Sequence, residues 1–269
     1  MAYWEDRLAR AQNKITDKNL KQIEAQLKKY YRSAMKRSID EFILVYNKVL
    51  EAQKDGTEVT PAWLYQLDKY WQLQEQIKIE LNKLGDKQIN AIAKSFEQNF
   101  FDVYYSINVE GMKAFNTLDT VIVQQLINQI WVADGKNWSK RIWGNTELLA
   151  QTLNDELVNC VVAGKKTTDL KKLLQERFNV SYNNAEMLVR TEMAHIQSQA
   201  AKQRYNDYGI TKMEVWAAKD ERMCKVCGKL HGTVFTVTAP SPVPAHPFAG
   251  AHYCQFWTKR NKCAKKINK

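Results

Sequence analysis

From Trp4 onward, apolar side chains recur at steps of three and four through Leu8, Ala11, Ile15, Leu20, Ile23, Leu27, Tyr31, Met35, Ile39, Phe42, Tyr46 and Leu50. That spacing keeps one face of a helix apolar. No proline interrupts it, so the pattern predicts an extended rod, with Thr16-Asp17 as a natural cap where the rod would break and Gly56-Thr57 as its end. Thr60-Pro61 opens a second helix, because threonine accepts from the free N–H groups and proline is preset for the first helical position. Its stripe is Trp63, Leu67, Tyr70, Trp71, Gln74, Ile77 and Leu81, with Leu84 as its end, Gly85 as the stop and Asp86 as the next cap. A third helix carries Ile89, Ile92, Phe96, Phe100, Val103 and Tyr104. The aromatics sit at core spacing, which reads as packing and not as a base-stacking platform or a cofactor box.

Residues 111–145 change character and hold three tryptophans close together; they read as a bridging segment. Asn145 then caps a helix with Leu148, Leu149, Leu153, Leu157 and Cys160, ending at Gly164, and Thr167 or Thr168 opens another with Leu170, Leu173 and Leu174. Ser181 caps a longer helix whose apolar positions, Ala185, Leu188, Val189, Met193, Ile196 and Ala200, keep the helical period up to Gly209. Strand patterns come last, in MEVWAA and TVFTV.

Between those strands lies Cys224-x-x-Cys227, and His246, His252 and Cys254 follow within about thirty residues. Two thiolates on one tight turn can hold a soft divalent ion from one side, and an imidazole with a third thiolate completes a tetrahedron. The expected site is Cys224, Cys227, His246 and Cys254 around a structural zinc ion, with His252 as the alternative ligand to His246. His246 is fixed by Pro247 in a proline-rich loop, whereas His252 lies two residues before Cys254. Two other readings of the pair are a redox couple and two buried small hydrophobes. The redox reading requires the motif to open a helix in a βαβ unit, whereas Gly228 and VFTVT follow. The five cysteines are odd in number and crowd the C-terminal end, which fits metal ligation better than a disulfide framework; Cys160, in the apolar run LVNCVVAG, reads as buried filler.

The fold expected is mainly α: long N-terminal helices, a further helical region, and a small C-terminal α+β zinc-knuckle-like module. The divisions are an extended helical domain at 1–110, the bridging segment at 111–145 and a C-terminal domain at 146–269, whose Cys/His module spans 212–257 before a basic tail.

Charge adds a candidate partner. The formal net charge is +11, and from residue 201 onward 13 basic side chains face 4 acidic ones, which places +9 in that quarter. Such a segment is drawn to phosphate backbones without reading bases, or to an acidic protein surface, or serves only as a solvated tail. There is no continuous apolar stretch of membrane-spanning length, and the start lacks the order of a secretory signal, so a cytosolic protein is expected. No glycine-rich phosphate loop, nucleophile elbow or HExxH motif occurs. His195 stands three residues after Glu192 on a helix, where an acid–base pair is conceivable, but the bland reading is structural. Arg190 and Glu192, two apart, point to different faces.

Several segments together resemble the minor head proteins of tailed bacteriophages, the phage head-morphogenesis family. They are YWEDRLARAQ, LYQLDKYWQLQEQIKIELNKLG, WSKRIWGNTELLAQTL, LVRTEMAHIQSQAAKQRY and VWAAKDERMCKVCGKLHGTVF followed by PVPAHP. The most specific places are taken by Trp216, Asp220, Arg222, Cys224, Cys227, Leu230, Gly232, His246, Pro247 and Cys254. The family pattern has a cysteine two residues after the His-Pro pair; this chain inserts Phe248 to Tyr253 before Cys254, which leaves open whether His246 or His252 closes the site. The resemblance implies a non-enzymatic virion protein without catalytic residues, located inside the capsid near the portal and in the host cytoplasm during assembly. Its implied partners are the portal protein and possible scaffold or major capsid protein, with non-specific double-stranded DNA added by the charge of the tail and no membrane in the assembly step. The alternative from another class is a zinc-dependent nuclease-like or toxin module on a helical arm, with His246 or His252 as base and Asn261 as helper.

Overall fold

The structure is a computed structural model and describes residues 2–108, 118–217, 225–239 and 254–257. Among them seven helices and three strands follow one another: α1 (Ala2–Lys54), α2 (Pro61–Gln66), α3 (Asp68–Ser106), α4 (Thr120–Ile127), α5 (Trp138–Val162), α6 (Thr167–Asp207), β1 (Lys212–Ala217), α7 (Lys225–Leu230), β2 (Val234–Thr236) and β3 (Cys254–Trp257). The chain is mainly helical, as expected.

Two compact units emerge. One gathers Met1–Gln22, Ala93–Gln129 and Leu188–Lys269; the other gathers Ile23–Ile92 and Ile130–Met187. Each draws on both the 1–110 and the 146–269 stretches, because α1, α3 and α6 each contribute to both. The bridging stretch 111–145 holds α4 and the first turns of α5.

α1 runs without the break expected at Thr16-Asp17. Thr16 is buried inside the helix, and neither glycine nor proline occurs before Gly56. The end is as read: Gly56 takes φ 84°, and Thr57 N–H donates to Ala52 O at 3.0 Å, which satisfies a carbonyl the helix would leave open. Thr60 Oγ1 accepts from Trp63 N–H at 3.2 Å with Pro61 in the first turn, again as expected.

The next break lies elsewhere than predicted. α2 ends at Gln66, capped by Leu67, whose ψ of 121° is extended, and α3 then passes through Gly85 and Asp86 without interruption. Gly85 is a packing glycine. A Cβ there would stand 2.4 Å from Cζ3 of Trp143, so the missing side chain is the space in which the indole lies. Tyr70, Ile77 and Leu81 of the expected stripe are buried, but Trp71 is exposed; its indole N–H donates to Tyr65 O at 2.8 Å and its ring meets Tyr70 edge-on.

Asn145 and Ser181 were expected to cap helices, and both lie inside them. α5 is capped by Asn137, whose side chain accepts from Lys140 N–H at 3.0 Å, and α6 is continuous from Thr167. Instead the two side chains join a buried polar knot in the second unit. Asn145 Nδ2 donates to Ser181 O at 2.8 Å and to Tyr31 Oη at 3.1 Å, and Tyr31 and Ser181 hydroxyls lie 3.2 Å apart. Burial pushes the Tyr31 hydroxyl up to about 12, so it stays protonated and available as a donor. Four turns further along α1, Tyr46 O–H faces the carbonyls of Cys160 (3.0 Å) and Lys165 (2.5 Å), tying α1 to the end of α5. Cys160 is fully buried, in line with its reading as filler.

The core of the first unit is built from Phe96, Phe100 and Tyr104 of α3 with Met193, Ile196 and Tyr205 of α6, all buried. Arg204 closes its end. The guanidinium lies 4.7 Å from the Tyr104 ring centroid and 4.6 Å from that of Tyr208, and Nε donates to Ile107 O at 3.2 Å just past α3. No described helix is long and apolar enough to cross a membrane.

Candidate functional site

The C-terminal module grows out of α6. Gly209, at φ 69°, lets Ile210 N–H return to Tyr205 O at 3.0 Å, which ends the helix and turns the chain into β1. In β1 Met213 and Val215 are fully buried while Lys212 is exposed and Glu214 half-buried, the alternation of a strand with one covered face. β1 is the centre of an antiparallel sheet in the order β2-β1-β3, with Met213 opposite Phe235 and Val215 opposite Phe256. Of the expected strands MEVWAA and TVFTV, the structure has β1 at Lys212–Ala217 paired antiparallel with β2 at Val234–Thr236. β3 was not foreseen; CQFW is four residues long and carries no turn signal of its own.

The metal-ligand candidates divide as follows. Cys227 lies in α7, the helix that opens directly after Cys224, and Cys254 opens β3 opposite Ala217, the last residue of β1. From that same end of β1 the chain departs toward Cys224. Cys224, His246 and His252 themselves lie outside the described residues, as do Asp220, Arg222 and Pro247. Among the described residues no group of three or more potential ligands is assembled.

One expectation is corrected here. Gly228 does not keep the C-x-x-C segment out of a helix: it sits within α7. The unit nevertheless differs from a redox βαβ, because the strands on either side of α7 are antiparallel. The Leu-x-Gly part of the motif acquires a physical role. Leu230 closes α7, and Gly232, at φ 81°, sends its N–H to Val215 O at 2.8 Å while Val215 N–H donates to Thr233 O at 2.9 Å. A β-carbon at that φ would strain the return to β1.

In α6, residues 191–200 are buried almost all round and carry polar groups, Glu192, His195, Gln197, Ser198 and Gln199. Periodicity did not reveal this, because it marks only the apolar stripe. Lys202 Nζ donates to Ala239 O, linking α6 to the segment after β2. His195 Nε2 lies 3.5 Å from Gln199 Nε2. Burial, and then the charge of Lys202, push the His195 imidazole down to about 3. It is neutral at physiological pH, whereas pairing with an ionised Glu192 would raise its affinity for a proton; the structural reading of His195 is the one these surroundings favour. Arg190 is exposed and Glu192 buried, so they do face apart.

Comparison with known proteins bears on this same region. Residues 151–255 match the family model described as Phage Mu protein F like protein, a stretch that begins within α5 and ends within β3. The chain is also 21% identical over 247 residues to the NAD(+)--arginine ADP-ribosyltransferase EFV of Enterococcus faecalis, covering 86% of this chain and 48% of that protein. It thus spans about half the length of that relative. No solved structure matches the chain. The segment from α5 through the three-stranded sheet is where this chain is similar to the phage Mu F-like proteins, and on that segment its resemblance to phage head-morphogenesis proteins stands.

Proposed function

We propose that this chain is a minor head protein of a tailed bacteriophage that binds the portal and acts in head assembly, with a Cys/His module stapled by structural zinc. The observation that carries the reading is the family match over 151–255, which runs from within α5 to the start of β3. The mainly helical build, with long α1, α3 and α6, is in keeping with a structural part of an assembly.

The zinc clause is supported by the placement of the backbone. α7, which bears Cys227, follows Cys224 directly, and Cys254 stands at the end of β1 from which the chain leaves for that motif. A tetrahedral site made of Cys224, Cys227, Cys254 and His246, or His252 in its place, would stabilise a small sheet that has little core of its own. The basic tail faces packaged DNA in this reading, through contacts that are independent of sequence and sensitive to salt.

The test of the head assignment is composition of the particle. Heads purified from a phage that encodes the chain contain it, and heads made without it are defective in assembly; normal heads lacking the chain altogether would overturn the reading. The relative is named for an enzyme of which this chain covers 48%, and that coverage carries no transfer activity over to it. The nuclease-like alternative makes its own prediction: metal-dependent nicking of DNA that disappears in His246→Ala or His252→Ala.

A further inference from the structure

The positive charge of the chain is not confined to its tail. Along α1 from residue 11 to 39, every charged side chain that is fully exposed is basic; Asp17 and Glu24, the only acids in that stretch, are half-buried. In the part of α1 that belongs to the second unit, Lys28, Lys29, Arg32 and Lys36 are exposed and fall within about 100° of one another around the helix. They form no ion pair among the described residues; Arg37, just beyond, is held by Glu80. The exposed face of α3 in the same unit is different, with Asp68, Glu75 and Asp86 interspersed among Lys69, Lys78 and Lys87. A mixed face is the ordinary solvated one, and four like charges on adjacent turns repel unless an anion lies against them.

We infer that Lys28, Lys29, Arg32 and Lys36 form a docking stripe for the phosphate backbone of double-stranded DNA. The chemistry of the stripe selects this occupant. Its exposed neighbours are Gln22, Ala25, Gln26, Ser33 and Arg37, with Asp40 one turn beyond Lys36, so it has no aromatic platform for the bases of a single strand. Nor does it have the apolar flank that an interfacial helix sinks into a membrane, since the apolar positions Ile23, Leu27 and Tyr31 are buried in the fold. A protein partner would need an apolar or aromatic anchor at the centre of its footprint, and none is exposed there. What remains is a rigid row of cations about 12 Å long, suited to a regular polyanion. This inference stands apart from the head-protein reading and from the tail.

The test uses the full-length chain and a labelled duplex, with affinity measured against salt. Replacement of all four residues by glutamine keeps helix propensity nearly unchanged, and far-UV circular dichroism and Tm report that the fold is intact. The stripe predicts that the log–log salt slope falls by about three to four and that affinity at low salt drops at least about tenfold. A matched variant on α3, Lys69→Gln with Lys78→Gln and Lys87→Gln, leaves the slope close to the original. The inference is overturned if the full chain does not bind duplex, if the α1 variant binds as before, or if the α3 variant loses as much. Tighter binding of single-stranded DNA or of anionic vesicles than of duplex would also overturn it.

Discussion

Glycine 85 and glycine 144 both lie inside helices, yet a methyl group added to each meets opposite surroundings. At Gly85 the new Cβ would collide with the Trp143 ring at 2.4 to 2.9 Å, and a fused indole has no flexible end to give way. At Gly144 nothing stands within 4 Å. Gly85→Ala is therefore expected to lower stability by about 1–3 kcal/mol despite alanine's better helix propensity, whereas Gly144→Ala raises it by about 0.5–1 kcal/mol. Urea midpoints of the two variants, measured side by side, check both signs. The same residue scale explains where sequence reasoning stopped. Gly85, Asn145 and Ser181 have the chemistry of helix ends, but that chemistry also serves distant partners: an indole in one case and the Tyr31 hydroxyl in the other two. A one-dimensional pattern shows the residue type without the partner. His195 gives a pH prediction with a definite sign. Its folded-state value of about 3 lies below the roughly 6.5 of an unfolded histidine, so the folded protein declines a proton that the unfolded chain accepts. The contribution is fully present above pH 6.5 and is lost as pH falls toward 3, at no more than about 1.4 kcal/mol per pH unit. His195→Gln should flatten that part of the acid limb relative to the original chain; parallel curves from pH 7 to 4 would contradict the assignment.

At the scale of elements, periodicity and glycine punctuation were enough for the end of α1 at Gly56, the Thr60-Pro61 start and the pairing of β1 with β2, because each is determined by residues close in sequence, whereas they placed a break at Thr16-Asp17 that α1 does not have. The joining of α6 across Ser181 and the addition of β3 depend on long-range packing and pairing, which no local signal reports. Arg204 belongs to this scale, since it clamps the end of α3 to the end of α6 through Ile107 O and two tyrosine rings. Arg204→Ala should cost about 1–3 kcal/mol, combining the loss of one of two donors to Ile107 O, the other being the Tyr208 hydroxyl, with the loss of the ring contacts. Arg204→Lys should recover little, because an ammonium lacks the planar fork; a denaturant midpoint equal to the original in the lysine variant would argue against the clamp. For the C-terminal module, elemental analysis of chain purified without chelator is expected to find about one zinc per molecule. Cys224→Ser should release the ion and destabilise the β-module, as structural zinc contributes folding free energy directly. A metal-free, fully folded chain would end the zinc proposal.

At the scale of the whole molecule, the candidate site was legible in part. The cysteine and histidine spacing and the motif from Trp216 to Gly232 fall in and around the segment that matches the family model, and the fold supplies a reason for Gly232 in that motif. The basic stripe on α1 was not legible, because a lysine count along the chain does not separate exposed from half-buried charge. Tail and stripe are two separate proposals for contact with duplex DNA, and the salt slopes of variants in each separate them. Association with the portal is checked by co-expressing this chain with the portal protein of a phage that encodes it and sedimenting the lysate through a sucrose gradient. The account predicts that the chain travels with the portal rings in a fixed ratio. A chain that stays at the top of the gradient while intact rings sediment without it would contradict the account.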